Sequence, residues 1–567
     1  MNNLILRVEY SQNDDTSIKC EKLYANEKKG DIYLQVDKQD GQYIFNLFFN
    51  KGVSLHKLYI DLAYEYPKEA RIYCNGFQSW SVTREYSINE ASLNLKKLGH
   101  LINKAYAVDR YNGQDQIKAL GKKGTFLSHT YTYIKESPLT KEVFLLGSLS
   151  ERSGFTAFYH DANKNLLTIE KECKGLSNVD KYYFCLYMGK GQLDQEIDRY
   201  LDGCLEHKKG SFARTKFLSD KERKYSGFTS WYNFYQDISE RIIERNIFYY
   251  FEANRKADIF QIDDGYQTYV GDWLDVDEKK FPKGMKSIAH KIKNKNSIPG
   301  LWFAPFTCER DSRIFSEKPN WVIRDQKNRP YKAGSGWSGF YGLNSDDREV
   351  KNYLEHVVDV FSNEWGFEFL KLDFLYNACL LAHSNKTRGQ LMCEAMDFIN
   401  VLCKDLILLG CGVPLGPAFW NVDFCRIGAD ISLDWDNKLY MRLLVRERVS
   451  TRNSLTNTVF RSHLDKKVFV NDPDVFMLRD ENCEMSKDEK EILGHLNSAY
   501  ASLLFTSDEV DKYKPWQSEM FLKIISGMDK AKTEYLDDKS NLIIDFEDKT
   551  YKIPLKDHKK PEIILKK

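Results

Sequence analysis

Between about residues 225 and 500, short apolar runs alternate with segments whose apolar residues recur at helical spacing. Runs that predict buried strands lie at residues 227–231, 259–263, 301–305, 367–374, 406–412, 424–430 and 468–474. Helical spacing is clearest at residues 238–248 and 350–361, and a capping box at residues 486–489 predicts the start of a last helix. With a weaker eighth strand at residues 456–460, this alternation predicts a (β/α)8 barrel. An open doubly wound sheet is the alternative, but no glycine-rich nucleotide motif follows a predicted strand.

The chain has a different pattern on either side of this region. Short β-branched or aromatic runs, such as residues 32–36, 43–49 and 143–146, predict an antiparallel β-sandwich over the first part of the chain. Two further runs, at residues 541–546 and 550–553, predict a small C-terminal β-domain. We therefore expect an α/β protein with three domains: an N-terminal β-sandwich at residues 1–205, a catalytic (β/α)8 barrel at residues 206–510, and a C-terminal β-domain at residues 511–567.

Charge and cysteine content exclude several classes of protein. The 83 Lys and Arg residues balance 82 Asp and Glu residues, so no excess positive field is present to bind a nucleic acid backbone. The 12 cysteines form no CxxC pair, which argues against a disulfide framework or a zinc ribbon. No uninterrupted apolar window approaches 18 residues, and the first residues lack the apolar run of a secretory signal. We expect a cytoplasmic protein with neither a nucleic acid nor a membrane partner.

Several predicted barrel strands end in aspartates, and the carboxyl ends of barrel strands are where active residues collect. A single aspartate at a strand end often serves a turn or a helix cap. Acids from four strands on one rim repel one another, and this cost is usually tolerated only for a metal, a polyol or acid/base chemistry. The acids concerned are Asp263, Asp264, Asp373, Asp430, Asp472 and Asp474.

Two kinds of ligand fit such a rim. Asp263, Asp264, Asp472 and Asp474 could hold Mg²⁺, although no HxH or HExxH motif supports a transition-metal site. A carbohydrate is favoured by the neighbouring aromatic residues, because flat rings stack on the C–H face of a sugar while carboxylates accept from its hydroxyls. For any single ring, packing in the core is an equal alternative. The rings are those of Trp80, Trp231, Tyr232, Trp273, Trp302, Trp337 and Trp435.

Two basic residues share a strand face with two of these acids. Lys371 and Asp373 are two residues apart, so both point into one cavity, and an ammonium there favours the ionised form that a nucleophile needs. The alternative is a buried ion pair whose role is structural and not catalytic. Arg426 and Asp430 also share a face, but the larger spacing leaves Asp430 freer to hold the proton that a general acid donates. Two carboxyls in different environments are what glycoside hydrolysis requires.

These motifs have a counterpart in a known family. The chain resembles the α-galactosidases (melibiases) of glycoside hydrolase family 36, in particular the compact bacterial type. Nine short strings match in order over nearly the whole chain. They are residues 75–80 (NGFQSW), 230–232 (SWY), 260–266 (FQIDDGY), 271–273 (GDW), 300–306 (GLWFAPF), 370–375 (LKLDFL), 409–412 (LGCG), 426–430 (RIGAD) and 471–474 (NDPD).

The resemblance implies an exo-acting retaining α-galactosidase that removes terminal galactose from small oligosaccharides by double displacement. Asp373 stands where the family has its nucleophile, and Asp430 where it has the general acid/base. Asp263 and Asp264 match the pair that binds the galactose hydroxyls around C4 and C6. The remaining matches are Lys371, Cys411 and Arg426 as sugar contacts, Trp302 and Tyr232 as pocket walls, and Trp80 as a tryptophan contributed by the N-terminal domain. The resemblance implies no cofactor and no metal, and it is compatible with a homo-oligomer.

Departures from the family pattern leave the leaving-group side and the terminal sugar open. Ala429 replaces a frequent proline, and residues 431–436 and the glycine-rich segment 308–344 diverge. An α-N-acetylgalactosaminidase or a galactosyl-transferring enzyme on the same scaffold is the alternative within the class. A non-catalytic sugar-binding protein is the alternative from a different class, and a metal-dependent hydrolase is a third. The sequence does not indicate the aglycone and linkage preference, the oligomeric state or the pH optimum.

Overall fold

The computed structural model describes residues 4–12, 17–92, 121–252, 256–436, 449–527, 530–537, 539–555 and 559–566. Within these residues the N-terminal part of the chain forms one antiparallel sheet, whose central path runs β2-β1-β5-β12-β10-β9-β6-β7. Its strands are β1 Ile5–Gln12, β2 Lys19–Tyr24, β3 Lys28–Lys29, β4 Ile32–Gln39, β5 Gln42–Ala63, β6 Arg71–Cys74, β7 Arg84–Ser87, β8 Thr125–His129, β9 Tyr131–Lys135, β10 Glu142–Ser148, β11 Thr156–Asp161 and β12 Leu166–Gln192.

Two long strands organise this sheet. β5 pairs with β12 along most of its length, and the register between them shifts three times, between Glu172 and Lys181. Buried and less buried residues alternate along β5, as expected where one face of a sheet covers a core. Phe45 and Phe184 stack across the pair with ring centroids 4.5 Å apart. The expected antiparallel, strand-rich N-terminal region is confirmed.

The central region is a barrel of parallel strands with a small antiparallel insert. In the described part of the chain, eight strands follow the order β22-β21-β20-β19-β15-β14-β13-β23, and a parallel bridge from Val475 to Phe505 joins the two ends. The insert β16-β18-β17 lies between the third and fourth barrel strands. The strands are β13 Tyr225–Thr229, β14 Ile259–Ile262, β15 Ile298–Phe303, β16 Thr307–Glu309, β17 Lys332–Gly334, β18 Phe340–Gly342, β19 Phe369–Leu372, β20 Ile407–Gly410, β21 Phe424–Arg426, β22 Val470–Asp472 and β23 Leu503–Thr506.

Helices surround the barrel, and the predicted capping box is present. The Ser486 hydroxyl accepts from the Glu489 N–H while the Glu489 carboxylate accepts from the Ser486 N–H. The helices are α1 Leu193–Glu206, α2 Trp231–Phe234, α3 Glu240–Glu252, α4 Gly284–Lys293, α5 Arg313–Glu317, α6 Arg348–Asp359, α7 Arg388–Leu402, α8 Leu415–Ala418, α9 Thr451–Phe460, α10 Lys487–Tyr500 and α11 Pro515–Ser526. Shorter 3-10 turns lie at Glu151–Ser153, Leu375–Cys379, Ser462–Leu464 and Val510–Lys512, and a π turn at Val360–Glu364 follows α6.

The eighth predicted strand was wrong. Residues 456–460 belong to helix α9, whose N-cap Ser450 accepts a hydrogen bond from the Asn453 N–H. Nearly every residue of α9 is buried, polar ones included, so the helix has no solvent-exposed face and no amphipathic pattern, and its β-branched residues resemble those of a strand. The eighth strand is β23, a short buried run that pairs in parallel with β13.

The C-terminal residues form a second small antiparallel sheet, in the order β24-β25-β26-β27. Its strands are β24 Thr533–Leu536, β25 Asn541–Asp545, β26 Lys549–Pro554 and β27 Glu562–Leu565. Helix α11 precedes this sheet and packs on α10, where the Ser498 hydroxyl donates to the Ile524 carbonyl at 2.8 Å. Across the described residues, no helix is long and apolar enough to cross a membrane.

A buried arginine connects the N-terminal sheet to the barrel. Arg461 follows α9, and its side chain is completely buried. Its guanidinium donates to the Asn75 side-chain oxygen at 3.0 and 3.2 Å, and to the backbone carbonyls of Gln78, Ser79 and Ile427 at 2.6–3.2 Å. One side chain therefore fixes the loop that follows β6 against the end of β21.

We expect Arg461→Met to lower the free energy of unfolding by at least about 3 kcal/mol, because several buried carbonyl acceptors would lose their donor. Urea unfolding followed by circular dichroism measures this change. The exposed Arg329 pairs only with Asp325 in its own turn, so Arg329→Met should cost less than about 1 kcal/mol. Equal losses in the two variants would contradict a joining role for Arg461.

Candidate active site

The candidate active site lies at the carboxyl ends of the barrel strands. Asp263 and Asp264 follow β14, Asp373 follows β19, Cys411 follows β20, and Arg426 ends β21. Because these strands are parallel neighbours in one barrel, their carboxyl ends form a single rim. The structure thus brings the residues predicted from the sequence to one end of the barrel.

Lys371 pairs with Asp263, and not with Asp373 as the strand spacing suggested. Its ammonium donates to the Asp263 carboxylate at 2.7 Å, and both side chains are buried. The Gln261 amide also donates to this carboxylate, at 2.8 Å. Burial alone would lower the pKa of Lys371, but the carboxylates of Asp263 and Asp373 raise it above its ordinary value. The lysine is therefore a fixed cation between two strands.

Asp373 is held by two N–H groups, one on each carboxylate oxygen. The Trp302 indole donates to Oδ2 at 3.0 Å, and the backbone N–H of Phe374 donates to Oδ1 at 2.8 Å. Phe374 has a positive φ of 52°, so the chain turns sharply directly after the carboxylate. The side chain is buried, with 8% of the residue exposed, and its direction is fixed by the barrel strands.

Arg426 is shared by three aspartates. Its guanidinium contacts Asp430 at 3.0 Å, Asp472 at 3.0 Å and Asp474 at 2.9 Å through three different nitrogens. Arg426 and Asp430, which were predicted to share a strand face, are in direct contact, and the freedom of Asp430 to hold a proton stays a prediction. Asp430 still differs from the other two aspartates: its side chain is 23% exposed, whereas those of Asp472 and Asp474 are fully buried.

Asp264 accepts hydrogen bonds from three side chains. Gln267 donates to Oδ1 at 2.6 Å, while Gln236 and Trp337 each donate to Oδ2 at 2.9 Å. Burial raises the pKa of Asp264 to about 6, with a further increase from the neighbouring Asp263, while the three donors act in the opposite direction. The carboxylate is therefore ionised at neutral pH but not in mild acid.

Trp80 reaches the rim from the N-terminal sheet. Its indole N–H points to the Cys411 sulfur at 3.3 Å, and its ring packs edge-on against Phe374. A Cβ at Gly412 would lie 2.8 Å from the Trp80 ring, and Gly412 has a positive φ of 58°, so only glycine fits here. The expected contribution of the N-terminal domain is thus visible as direct packing on residues at the ends of β19 and β20.

Tyr232 is buried, and its hydroxyl donates to the Asp474 carboxylate. Burial is the largest cause of its raised pKa, followed by the charges of Asp430 and Asp474. Its hydroxyl is committed to Asp474 and its ring is buried, and contact with a sugar stays a prediction. The same holds for Trp302, whose N–H is already committed to Asp373.

Three of the four aspartates considered for Mg²⁺ have cationic side chains as partners, and the fourth, Asp264, accepts from neutral donors. Asp263 pairs with Lys371, and Asp472 and Asp474 pair with Arg426. Among the residues that the structure describes, no group of three or more His, Cys, Asp or Glu side chains is arranged to hold a metal ion.

Sequence reasoning missed three hydrogen-bond donors to Asp264 and the contacts of Arg426 with Asp472 and Asp474. Gln236, Gln267 and Trp337 orient Asp264, but glutamines in loops give no sequence signal and Trp337 was noted only as a nearby ring. The insert β16-β18-β17 carries Trp337, whose φ of 51° directs the chain back over the rim. The link from Arg426 to β22 depends on strands distant in sequence, so no local pattern could reveal it.

Comparison with known proteins gives a consistent set of similarities. Residues 209–398 match the Melibiase family model. The bifunctional α-galactosidase/sucrose kinase AgaSK of Mediterraneibacter gnavus is 23% identical over 169 residues, which cover 28% of this chain and 17% of AgaSK. The α-galactosidase Mel36A of Lactobacillus acidophilus is 23% identical over 152 residues, covering 25% of this chain and 19% of Mel36A. The matched segments thus span less than a fifth of these curated relatives.

Solved structures match over most of the chain. TtGalA, an α-galactosidase from Thermus thermophilus solved in complex with p-nitrophenyl α-D-galactopyranoside, superposes with a TM-score of 0.68 and 23% identity over 90% of this chain and 97% of its own. The GH36 α-galactosidase AgaA (variant A355E) from Geobacillus stearothermophilus gives a TM-score of 0.57 and 11% identity, and the match covers 96% of this chain and 80% of the AgaA chain. The chain resembles the bacterial α-galactosidases of glycoside hydrolase family 36. The similarities confirm the predicted fold class.

The pKa of Asp264 predicts a pH-dependent stability. Because burial raises this pKa from 3.8 to about 6, the folded protein keeps a proton that the unfolded chain loses, and the free energy of unfolding falls by about 2 kcal/mol as the pH rises from 4 to 6. Asp264→Asn cannot ionise, so its stability relative to the wild type should rise by that amount over the same interval. Urea unfolding at stepwise pH measures the difference.

The exposed Asp202 on α1 offers a control for this experiment. The stability of Asp202→Asn relative to the wild type should stay within about 0.5 kcal/mol across the interval. A flat difference for Asp264→Asn as well would show that burial does not penalise the charge on Asp264.

Proposed function

We propose that the chain is an exo-acting, retaining α-galactosidase that hydrolyses terminal α-linked galactose from small oligosaccharides. The observation that carries the proposal is the arrival of Asp373 and Asp430 from separate strands at one rim, with different partners. Asp373 accepts from two neutral N–H groups, and Asp430 faces Arg426 and is more exposed. Burial and the charges of both aspartates act on the Cys411 thiol and raise its pKa, so both carboxyls lie near this residue.

The first half of the reaction would form a covalent intermediate on Asp373. One Asp373 oxygen attacks the anomeric carbon while Asp430 donates its proton to the glycosidic oxygen, and the aglycone leaves as an alcohol. Trp302 and the Phe374 N–H hold the attacking carboxylate in one direction, so little reorganisation is needed at the transition state.

The second half would return the enzyme to its starting state. Asp430, now ionised, takes a proton from water as the hydroxide oxygen bonds to the anomeric carbon and the Asp373 ester breaks. Two successive inversions leave the α configuration in the galactose product. The position of Asp430 as the most exposed of the three aspartates around Arg426 suits a group that must reach both aglycone and water.

Recognition of galactose would fall to the polar groups beside these acids. Asp263 and Asp264 present carboxylate oxygens, and Lys371 presents an ammonium between Asp263 and Asp373. Their oxygens and protons are complementary to sugar hydroxyls, and a hydroxyl that the site is built to bind gives strong discrimination. We assign these groups to the hydroxyls around C4 and C6, with Arg426, Cys411 and Trp80 completing the contacts.

Azide rescue tests the assignment of the two carboxyls. Asp373→Gly should lose at least about 10³-fold in kcat on p-nitrophenyl α-galactoside, and added azide should restore turnover with β-galactosyl azide as the product. Asp430→Gly should instead yield α-galactosyl azide, because the covalent intermediate still forms. NMR of the products distinguishes the two azides.

A matched control comes from the opposite end of the barrel. Asp423 is a buried aspartate that precedes β21 and pairs with Arg214 at 2.8 Å. Asp423→Asn should keep its activity wherever it is folded, since residues at the amino ends of barrel strands serve stability. Full activity in Asp373→Gly would eliminate that residue as nucleophile. Faster hydrolysis by the wild-type protein of the 2-acetamido counterpart than of p-nitrophenyl α-galactoside would show that the preferred terminal sugar is N-acetylgalactosamine and not galactose.

The contribution of the N-terminal domain can be measured at Trp80. Trp80→Phe keeps an apolar ring but loses the N–H that points to Cys411, so we expect KM for p-nitrophenyl α-galactoside to rise about five- to tenfold. Steady-state kinetics measure this change. Trp516→Phe, on the half-buried face of α11, is the control and should leave KM unchanged. An unchanged KM in both variants would place Trp80 outside the binding site.

A further inference from the structure

Asp474 has no role in the mechanism proposed above, although its carboxylate contacts the same arginine as the proposed acid/base Asp430. It is completely buried and makes contacts on several sides. The Arg426 guanidinium lies 2.9 Å away, the backbone N–H of Ile431 donates to it at 2.8 Å, and the Tyr232 hydroxyl also donates to it. Ile431 is the residue directly after Asp430, so Asp474 holds both the cation that faces Asp430 and the backbone that carries it.

The backbone at Asp474 is in an unusual conformation. Its φ is 80°, in the left-handed region that is uncommon for residues other than glycine, although asparagine and aspartate adopt it more often than most. Such a conformation costs about 1–3 kcal/mol and persists where the surroundings require it, most often at functional sites. Here it directs the carboxylate away from β22 and toward the turn that bears Asp430. The Asp474 N–H donates to Asp472, which fixes the two aspartates relative to each other.

We propose that Asp474 is a positioning residue for the acid/base Asp430, which it orients through Arg426 and Ile431 and whose proton it helps to retain. The inference rests on the proposed function, since it assigns Asp430 the role of proton donor. Three carboxylates share the single charge of Arg426, so a negative charge on Asp474 reduces the fraction of that charge available to ionise Asp430.

The charged and titratable groups that face Asp474 come from three elements. Arg426 and Asp430 belong to β21 and the turn after it, Asp472 to β22, and Tyr232 to α2. Burial is the largest influence on Asp474 and raises its pKa, Arg426 opposes this, and the charges of Asp430 and Asp472 raise it further. Negative charge at one of these carboxylates therefore resists ionisation at the next.

Asp474→Asn is the variant that tests this role. Asparagine also tolerates a positive φ and preserves the shape of the side chain, so the variant should fold. It removes one negative charge from the group around Arg426, and the alkaline limb of kcat/KM should move to lower pH by about one pH unit. Loss of proton donation should also reduce kcat/KM on melibiose at least about tenfold more than on p-nitrophenyl α-galactoside, whose leaving group needs little protonation.

Two further variants make the outcome decisive. Asp423→Asn, which disturbs a buried Asp–Arg pair of the same kind, should change neither the pH profile nor the ratio between the two substrates. Tyr232→Phe removes a donor that favours the ionised form of the Asp474 carboxylate, so it should reduce the negative charge only in part and shift the alkaline limb in the same direction by a smaller amount. This second variant carries the test if Asp474→Asn does not fold.

The failures of the two proposals are distinguishable. A wild-type protein that hydrolyses neither substrate would refute the proposed function. A wild-type protein that hydrolyses both, with an unshifted pH profile and equal losses on the two substrates in Asp474→Asn, would overturn only the positioning role.

Discussion

The charges at the carboxyl rim of the barrel are buried, and the structure pairs each described cation there with carboxylates. Lys371 faces Asp263, and Arg426 faces Asp430, Asp472 and Asp474. A buried charge without a partner would cost several kcal/mol, so the rim is stable only as a connected set. This requirement determines which acids are tied to cations. It leaves Asp373 with neutral N–H partners and Asp430 as the most exposed member of its group.

The N-terminal sheet is part of this arrangement. Arg461 holds the loop that contains Trp80, and Trp80 packs on Phe374 directly after the proposed nucleophile. In return, Gly412 provides the space that the Trp80 ring occupies. The barrel strands alone would therefore leave one wall of the site unformed. A similar role belongs to the insert β16-β18-β17, from which Trp337 reaches Asp264.

The sequence predicted much of the barrel because its strands are short, apolar and separated by amphipathic helices. The prediction failed at α9, where polar and apolar residues alike are buried and the amphipathic pattern that identifies a surface helix is absent. It also placed Lys371 beside Asp373, because residues two apart on a strand share a face. In the barrel, however, a neighbouring strand brings Asp263 within 2.7 Å, and hydrogen bonding across strands prevails over proximity along one strand.

The sequence by itself determined the identity and order of the chemical groups, since most of these aspartates stand at the end of an apolar run that predicts a buried strand. From this came the expectation of one rim with several acids and aromatic rings. Only the tertiary structure decided the partners of these groups, because Arg426 meets Asp472 and Asp474 across more than 40 residues of chain, and Trp80 meets Cys411 across 331. Local patterns record which faces are buried, whereas the pairing of buried charges depends on which strands become neighbours.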